Sequence, residues 1–177
     1  MAGITRISSG APWEPIFGYS RTVKAGGWLL VSGTTSFDEN GRILGRNQMY
    51  TQARQAIANI STALERAGMT LADAVRTRVF VTDMGRFSEV ARAHLEAFGD
   101  NPPAATVVEI RRLVSPDMMI EIEADAFRSS EVEGGVGTAA KSRMATKSKP
   151  GAKSQSSPKP KSAKAKSAKT TRQSSNR

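Results

Sequence analysis

The sequence predicts an α+β domain in which two helices cover one face of a mixed sheet, followed by a disordered basic tail. Three observations carry this. Two segments hold apolar residues at helical spacing, and several others alternate apolar and polar residues with the period of a strand. Their order is strands, helix, strand, helix, two strands, which suits helices packed on one side of a sheet. The third observation is a break in composition. Of the 177 residues, 26 are Lys+Arg and 16 Asp+Glu; residues 1–130 hold 14 of each sign, and residues 131–177 hold 12 basic and 2 acidic, the whole of the +10. A formally neutral domain, 1–130, thus precedes a cationic tail, 131–177.

Within the domain, Trp28 to Thr35 is a compact apolar run after Gly26-Gly27 and reads as a strand. Asn40-Gly41 supplies a turn between Phe37 and Ile43. Ala53, Ala56, Ile57, Ile60, Ala63, Leu64 and Ala67 form one face of a helix that starts near Asn47 and stops at Gly68. Thr70 with Asp73 has the spacing of a capping box for a single turn. Val75 to Thr82 alternates as a strand, with Arg76, Arg78 and Phe80 on one side. A second helix runs from about Arg86 to Gly99, with Phe87, Val90, Ala91, His94, Leu95 and Phe98 as its inward stripe. Thr106 to Arg112 and Met118 to Phe127 complete the sheet around a Ser115-Pro116-Asp117 turn.

Composition narrows the chemistry. The absence of cysteine excludes disulfides, thiolate metal sites and a cysteine nucleophile. A single histidine, His94, leaves no histidine cluster for zinc, so no metal is expected. No run reaches the ~18 apolar residues of a membrane span and no signal segment opens the chain, so a soluble cytoplasmic protein without membrane contact is expected.

The last strand alternates strictly: Ile120, Ile122, Ala124 and Ala126 on one side, Glu121, Glu123 and Asp125 on the other. Arg76 and Arg78 offer matching cations. Such a face is either solvated or a subunit interface or cleft in which these charges pair or hold a ligand. Beyond Ser129 apolar periodicity stops. From Lys141 the chain is Lys, Ser, Ala, Pro and Thr with repeated Ser-Ala-Lys steps, a composition that predicts disorder. It resembles the lysine-rich tails of linker histones, which implies either sequence-independent contact of residues 141–177 with nucleic acid phosphates or a merely solubilising extension.

Over residues 8–128 the chain resembles the YjgF/RidA family. The resemblance lies in Gly18-Tyr19-Ser20, Val31-Ser32-Gly33, Gln52-Ala53-Arg54-Gln55-Ala56 with Asn59-Ile60, Ala67-Gly68, Thr77 to Asp83, Pro103-Ala104, Val108-Glu109-Ile110 and Ile120 to Ala124. It implies a chorismate-mutase-like protomer, a homotrimer with three clefts between subunits, and hydrolysis of reactive imines or enamines without a cofactor. Carried over residue by residue, it implies that Tyr19 and Gly33 line the cleft and that Glu123 positions or activates the attacking water. The family's arginine after the Pro-Ala step, which grips a substrate carboxylate, falls on Ala105, which cannot. A helix asparagine of the active branch falls on Ala91, while Thr106 keeps a hydroxyl. Arg21, Arg76, Arg78 or Arg112 can compensate, or the ligand lacks a carboxylate; His94 is a further acid–base candidate. Three functions follow as expectations: an imine or enamine hydrolase, a non-catalytic metabolite-binding trimer, and a nucleic-acid-associated trimer tethered by its tail.

Overall fold

The computed structural model describes residues 3–129. The expected disordered tail lies outside the described residues. Six strands form one sheet: β1 (Ile4–Ile7), β2 (Thr22–Ala25), β3 (Trp28–Thr34), β4 (Ala74–Val81), β5 (Ala104–Glu109) and β6 (Ile120–Phe127). Their order is β1-β2-β3-β6-β4-β5, antiparallel throughout except for the parallel pair β4–β5. Three helices accompany them: a short α1 (Trp13–Phe17), α2 (Met49–Glu65) and α3 (Phe87–Phe98). The expected α+β architecture, a mixed sheet with α2 and α3 packed on one face, is the observed one.

Core burial follows the predicted alternation. Ile120, Ile122, Ala124 and Ala126 of β6 pack with Leu29 and Val31 of β3 and Val79 and Val81 of β4 beneath Ala53, Ala56, Ile57, Ile60 and Leu64 of α2. Sheet and helix therefore share one apolar layer, and burial of these side chains at about 25 cal/mol per Å² is the main stabilising contribution. The capping box is present at Thr70 and Asp73, and Arg128 fastens it by donating to both the Asp73 carboxylate and the Gly68 carbonyl. At the N-terminus of α2, Gln48 makes no side-chain cap; the Glu89 carboxylate of α3 accepts from the Tyr50 amide instead, at 3.1 Å. The Asn40-Gly41 turn lies inside a Phe37–Ile43 bridge, with Gly41 at φ 73°.

Two expectations need correction. Leu95 and Phe87, placed on the inward stripe of α3, are exposed by 70% and 47%, whereas Ala93 is buried. Val90, Ala93, Ala97 and Phe98 define the packed face, because the apolar side chains of α3 span more of the helix than the sheet covers. The strand expected from Thr106 begins at Ala104 and ends at Glu109. It starts immediately after Pro102-Pro103, where the parallel pairing of Arg76 with Ala104 sets in.

Candidate functional site

The sheet face away from the helices is open, and it carries both charge and apolar surface. Trp28, Leu30, Val108 and Phe127 are each about two-fifths or more exposed, with Trp28 and Phe127 stacked at 5.0 Å between ring centroids. Between them run Glu121, Glu123 and Asp125 of β6 and Arg76, Arg78 and Phe80 of β4, placed on one face by the strand period. Arg78 donates to Glu123 at 3.3 Å and to Asp125 at 3.2 Å. Cations and acids thus pair across these strands, one of the arrangements the sequence left open, and the pairing occupies Glu123 and Arg78 with one another.

A second cluster gathers at the other end of Glu121. The register of β3 against β6 shifts between Val31 and Thr34, so Ser32 and Gly33 form an irregular step in the strand. A Cβ at Gly33 would overlap the Glu121 carboxylate, so only glycine permits this approach. Arg21 fixes the step, donating from Nη1 to the Gly33 carbonyl at 2.9 Å and to Thr34 Oγ1 at 3.0 Å, and from Nη2 to the Tyr19 hydroxyl at 3.1 Å. Its guanidinium carbon lies 5.5 Å from the centre of the Tyr19 ring. Burial pushes the Glu121 carboxyl above the usual carboxylate range, and the charge of Glu123 adds to the rise while that of Arg21 opposes it. Tyr19, Arg21, Gly33 and Glu121 therefore make one constellation: a carboxyl of raised pKa, a fixed guanidinium, a phenol and a strand step free of side chains.

Glu121 was not among the sequence-predicted site residues. The resemblance was carried to Glu123, two residues on and on the same face, and nothing in the alternation distinguishes the two. Gly33 is what separates them, since only Glu121 lies against it.

The remaining predicted residues lie elsewhere. Ala105 and Thr106 sit on β5, three strands from β3, about 14 Å away at the usual strand spacing. Thr106 is aligned with Arg78 on the open face, and Ala105 with Thr77, whose register places it toward the helices. His94 Nε2 is 3.0 Å from Thr77 Oγ1, and its ring packs on Phe98 at 4.6 Å. Burial holds the imidazole below its usual pKa, which keeps it neutral at pH 7. Within the chain, Tyr19 and Gly33 thus lie toward the β3 side and Ala105, Thr106 and His94 toward β5 and α3, with Glu123 and Arg78 between them.

A cavity of about 430 Å³ also lies between α2 and α3, lined by Arg54, Ile57, Ser61, Glu65, Leu71 and Glu96. It belongs to the helix layer and shares no residue with either group. Among the described residues no group of three or more His, Cys, Asp and Glu is placed to hold a metal, and no helix is long and apolar enough to cross a membrane.

Comparison with known proteins agrees with the fold. The chain is 36% identical over 115 residues to a RutC family protein of Pyrococcus horikoshii, covering 65% of this chain and 90% of that protein. A crystal structure from Mycobacterium tuberculosis, described as a member of the highly conserved YjgF/YER057c/UK114 family, shows 41% identity and a TM-score of 0.65, covering 71% of this chain and 100% of the other. The YjgF gene product of E. coli is 31% identical with a TM-score of 0.59, covering 70% of this chain and 93% of its own. The family model described as Endoribonuclease L-PSP matches residues 9–128. Spanning strands β2 to β6 and both major helices, that match shows that the chain belongs to the YjgF/RidA (L-PSP) family.

Proposed function

We propose that this protein hydrolyses a small reactive imine or enamine in clefts formed between copies of itself, in the simplest case a homotrimer, without a cofactor. The observation that carries the reading is the Glu121 carboxyl, held against Gly33 with its pKa raised. A carboxyl of this kind exchanges protons near neutral pH more readily than an exposed one. Water adds to the imine carbon and gives a proton to the Glu121 carboxylate. Glu121 passes that proton to the nitrogen to give the neutral carbinolamine, then takes the carbinolamine hydroxyl proton and delivers it to the nitrogen as the C=O forms and the C–N bond breaks, so an imine and water leave as a carbonyl compound and ammonia. The fixed Arg21 and Tyr19 donors border the place where the substrate sits, and Gly33 lets the Glu121 carboxyl lie against the strand there.

Assembly follows from the division of the site. Ala105, Thr106 and His94 lie on β5 and α3, far from Glu121 within one chain, and the open face exposes Trp28, Leu30 and Phe127. A second copy covering that face buries the apolar surface and brings the Thr106 edge of one protomer to the Glu121 edge of another. The Arg78–Glu123–Asp125 group lies on that same face and has a structural place in the interface. The direct test is ammonia release from 2-imino acids generated in situ by an amino acid oxidase, followed against an enzyme-free control. Acceleration over the control is expected; none, across several side chains, would leave the clefts a binding role only.

The concentration of net charge in residues 131–177 favours a second activity, sequence-independent binding of nucleic acid. Full-length protein is expected to bind double-stranded DNA with an affinity that falls steeply with salt, and a 1–130 protein is expected to lose that binding. Filter binding between ~50 and ~200 mM salt measures both, a range over which several phosphate contacts are worth orders of magnitude. Equal binding by 1–130 would place the interaction in the domain.

A further inference from the structure

The loss of a guanidinium at Ala105 leaves the cleft without its expected carboxylate anchor, yet the structure holds another guanidinium, Arg21, at the Gly33 step. Arg21 has five N–H donors. Two on Nη1 are taken by the Gly33 carbonyl and Thr34 Oγ1, with a longer 3.5 Å approach to the Ser32 carbonyl, and one on Nη2 by the Tyr19 hydroxyl. The Nε–H and the second Nη2–H have no acceptor among the described residues. These two nitrogens are the pair from which a guanidinium makes its side-on, two-point contact with a carboxylate. Arg21 likewise takes part in none of the ion pairs among the described residues, which are made by Arg46, Arg78, Arg86, Arg92 and Arg128. Of the other arginines the sequence offered as replacements, Arg78 is spent on Glu123 and Asp125. Arg76 and Arg112 lie on β4 and beyond β5, on the far side of β6 from Gly33.

We propose that Arg21 is the specificity-determining residue of the cleft: its free Nε and Nη2 donors take the carboxylate of a small anionic substrate, the contact that Ala105 cannot make. Its contacts to the Gly33 step hold it in place in advance, so little side-chain freedom is lost on binding. The substrate class that follows is a 2-imino acid or a similarly short carboxylate, positioned with its reacting carbon toward Glu121. The inference rests on the deaminase reading of the site for its kinetic consequence, but not for its binding consequence.

Both are measurable on the full chain. Arg21→Gln is expected to reduce the preference for a 2-imino acid over an uncharged imine of similar size by roughly 10- to 100-fold in kcat/KM, mainly through KM, the range for losing one charge-assisted contact. Arg21→Lys, which keeps the charge without the fork, is expected to fall between. Adding Ala105→Arg to Arg21→Gln is expected to restore the preference, which a merely distorted Gly33 step would not allow. Titration with pyruvate by NMR reads the same contact without turnover, and Arg21→Gln is expected to weaken it by a similar factor. Preference and pyruvate affinity both within twofold of the unsubstituted protein would overturn the proposal. Should the unsubstituted protein turn over no imine, the hydrolase reading fails, and the pyruvate titration still decides the role of Arg21.

Discussion

Glu121→Gln is expected to lower kcat for imine hydrolysis by roughly 10²- to 10⁴-fold, the usual contribution of a positioned general acid or base. Glutamine keeps the shape that lies against Gly33 and loses only the ability to take and return a proton, so KM is expected to change little. Glu123→Gln makes the contrast. That side chain is held by Arg78, which retains Asp125 as a second partner, so its removal is expected to cost less than tenfold. Parallel steady-state kinetics on the two variants checks both, and a Glu121→Gln enzyme within threefold of the unsubstituted rate would remove Glu121 from the chemistry.

The same substitution carries a stability signature of defined sign. Burial, aided by the Glu123 charge, raises the Glu121 pKa in the folded state. As pH rises past the unfolded value, about 4.3, the unfolded chain releases this proton before the folded one does. In that window the folded state holds more protons, so its stability falls as pH rises, and the penalty is complete above the folded pKa. Glu121→Gln removes the penalty, and is expected to melt above the unsubstituted protein at pH 7.5 with the difference shrinking toward pH 4. Asp73 runs the opposite way. Its bond from Arg128 leads the causes that lower its pKa, so its contribution is present at neutral pH and lost on acidification. A site that gives up stability for reactivity and a cap that does the reverse thus separate in one pair of melting curves.

Legibility in the sequence followed periodicity. The long helix and the β4 and β6 alternations were readable because each repeats a burial signal several times. The N-terminal hairpin was not read: β1 and β2 are four residues each, at the sheet edge, with burial too partial to alternate. Only β2 left a signal, Gly26-Gly27 between Ala25 and Trp28, the two-residue turn of the β2–β3 hairpin. Leu95 misled because an apolar residue near the stripe of α3 looks the same whether it faces this sheet or open surface. Glu121 and Glu123 were indistinguishable for a related reason, since strand alternation gives the face but not the neighbour. That neighbour is set by the irregular step at Ser32–Gly33, a long-range feature with no local period. Arg21 escaped a definite role for the same cause: its Gly33 carbonyl and Thr34 hydroxyl acceptors on β3 are brought to it by the β2–β3 pairing.

The Gln52 to Gln55 and Asn59 motif that first pointed to the family has a structural reason in the buried face of α2. Gln52 is fully buried, and it bridges three backbone groups: its Nε2 donates to the Gly45 carbonyl at 3.1 Å and the Asp117 carbonyl at 2.7 Å, and its Oε1 accepts from the Met119 amide at 2.8 Å. One turn pair further along, Asn59 donates to the Thr35 and Phe37 carbonyls. Gln52→Met preserves volume and chain shape while leaving the Asp117 carbonyl and the Met119 amide without a partner; the Gly45 carbonyl keeps the Gln48 amide. At about 1–3 kcal/mol for each buried polar group left unsatisfied, the expected loss is ~3–5 kcal/mol, which is a large part of the stability of an ordinary domain. Tyr50, two residues earlier, provides the comparison. It bonds Glu96 at 2.7 Å and stacks under Arg92 at 4.3 Å, but this group faces solvent, so Tyr50→Phe is expected to cost under about 1 kcal/mol. Thermal melts at one fixed protein concentration distinguish the two, with Gln52→Met lower by ~10 °C or more and Tyr50→Phe nearly unmoved. A Gln52→Met shift below ~2 °C would mean that the 117–119 loop finds water for its backbone groups, and that the motif is kept for something other than this bridge.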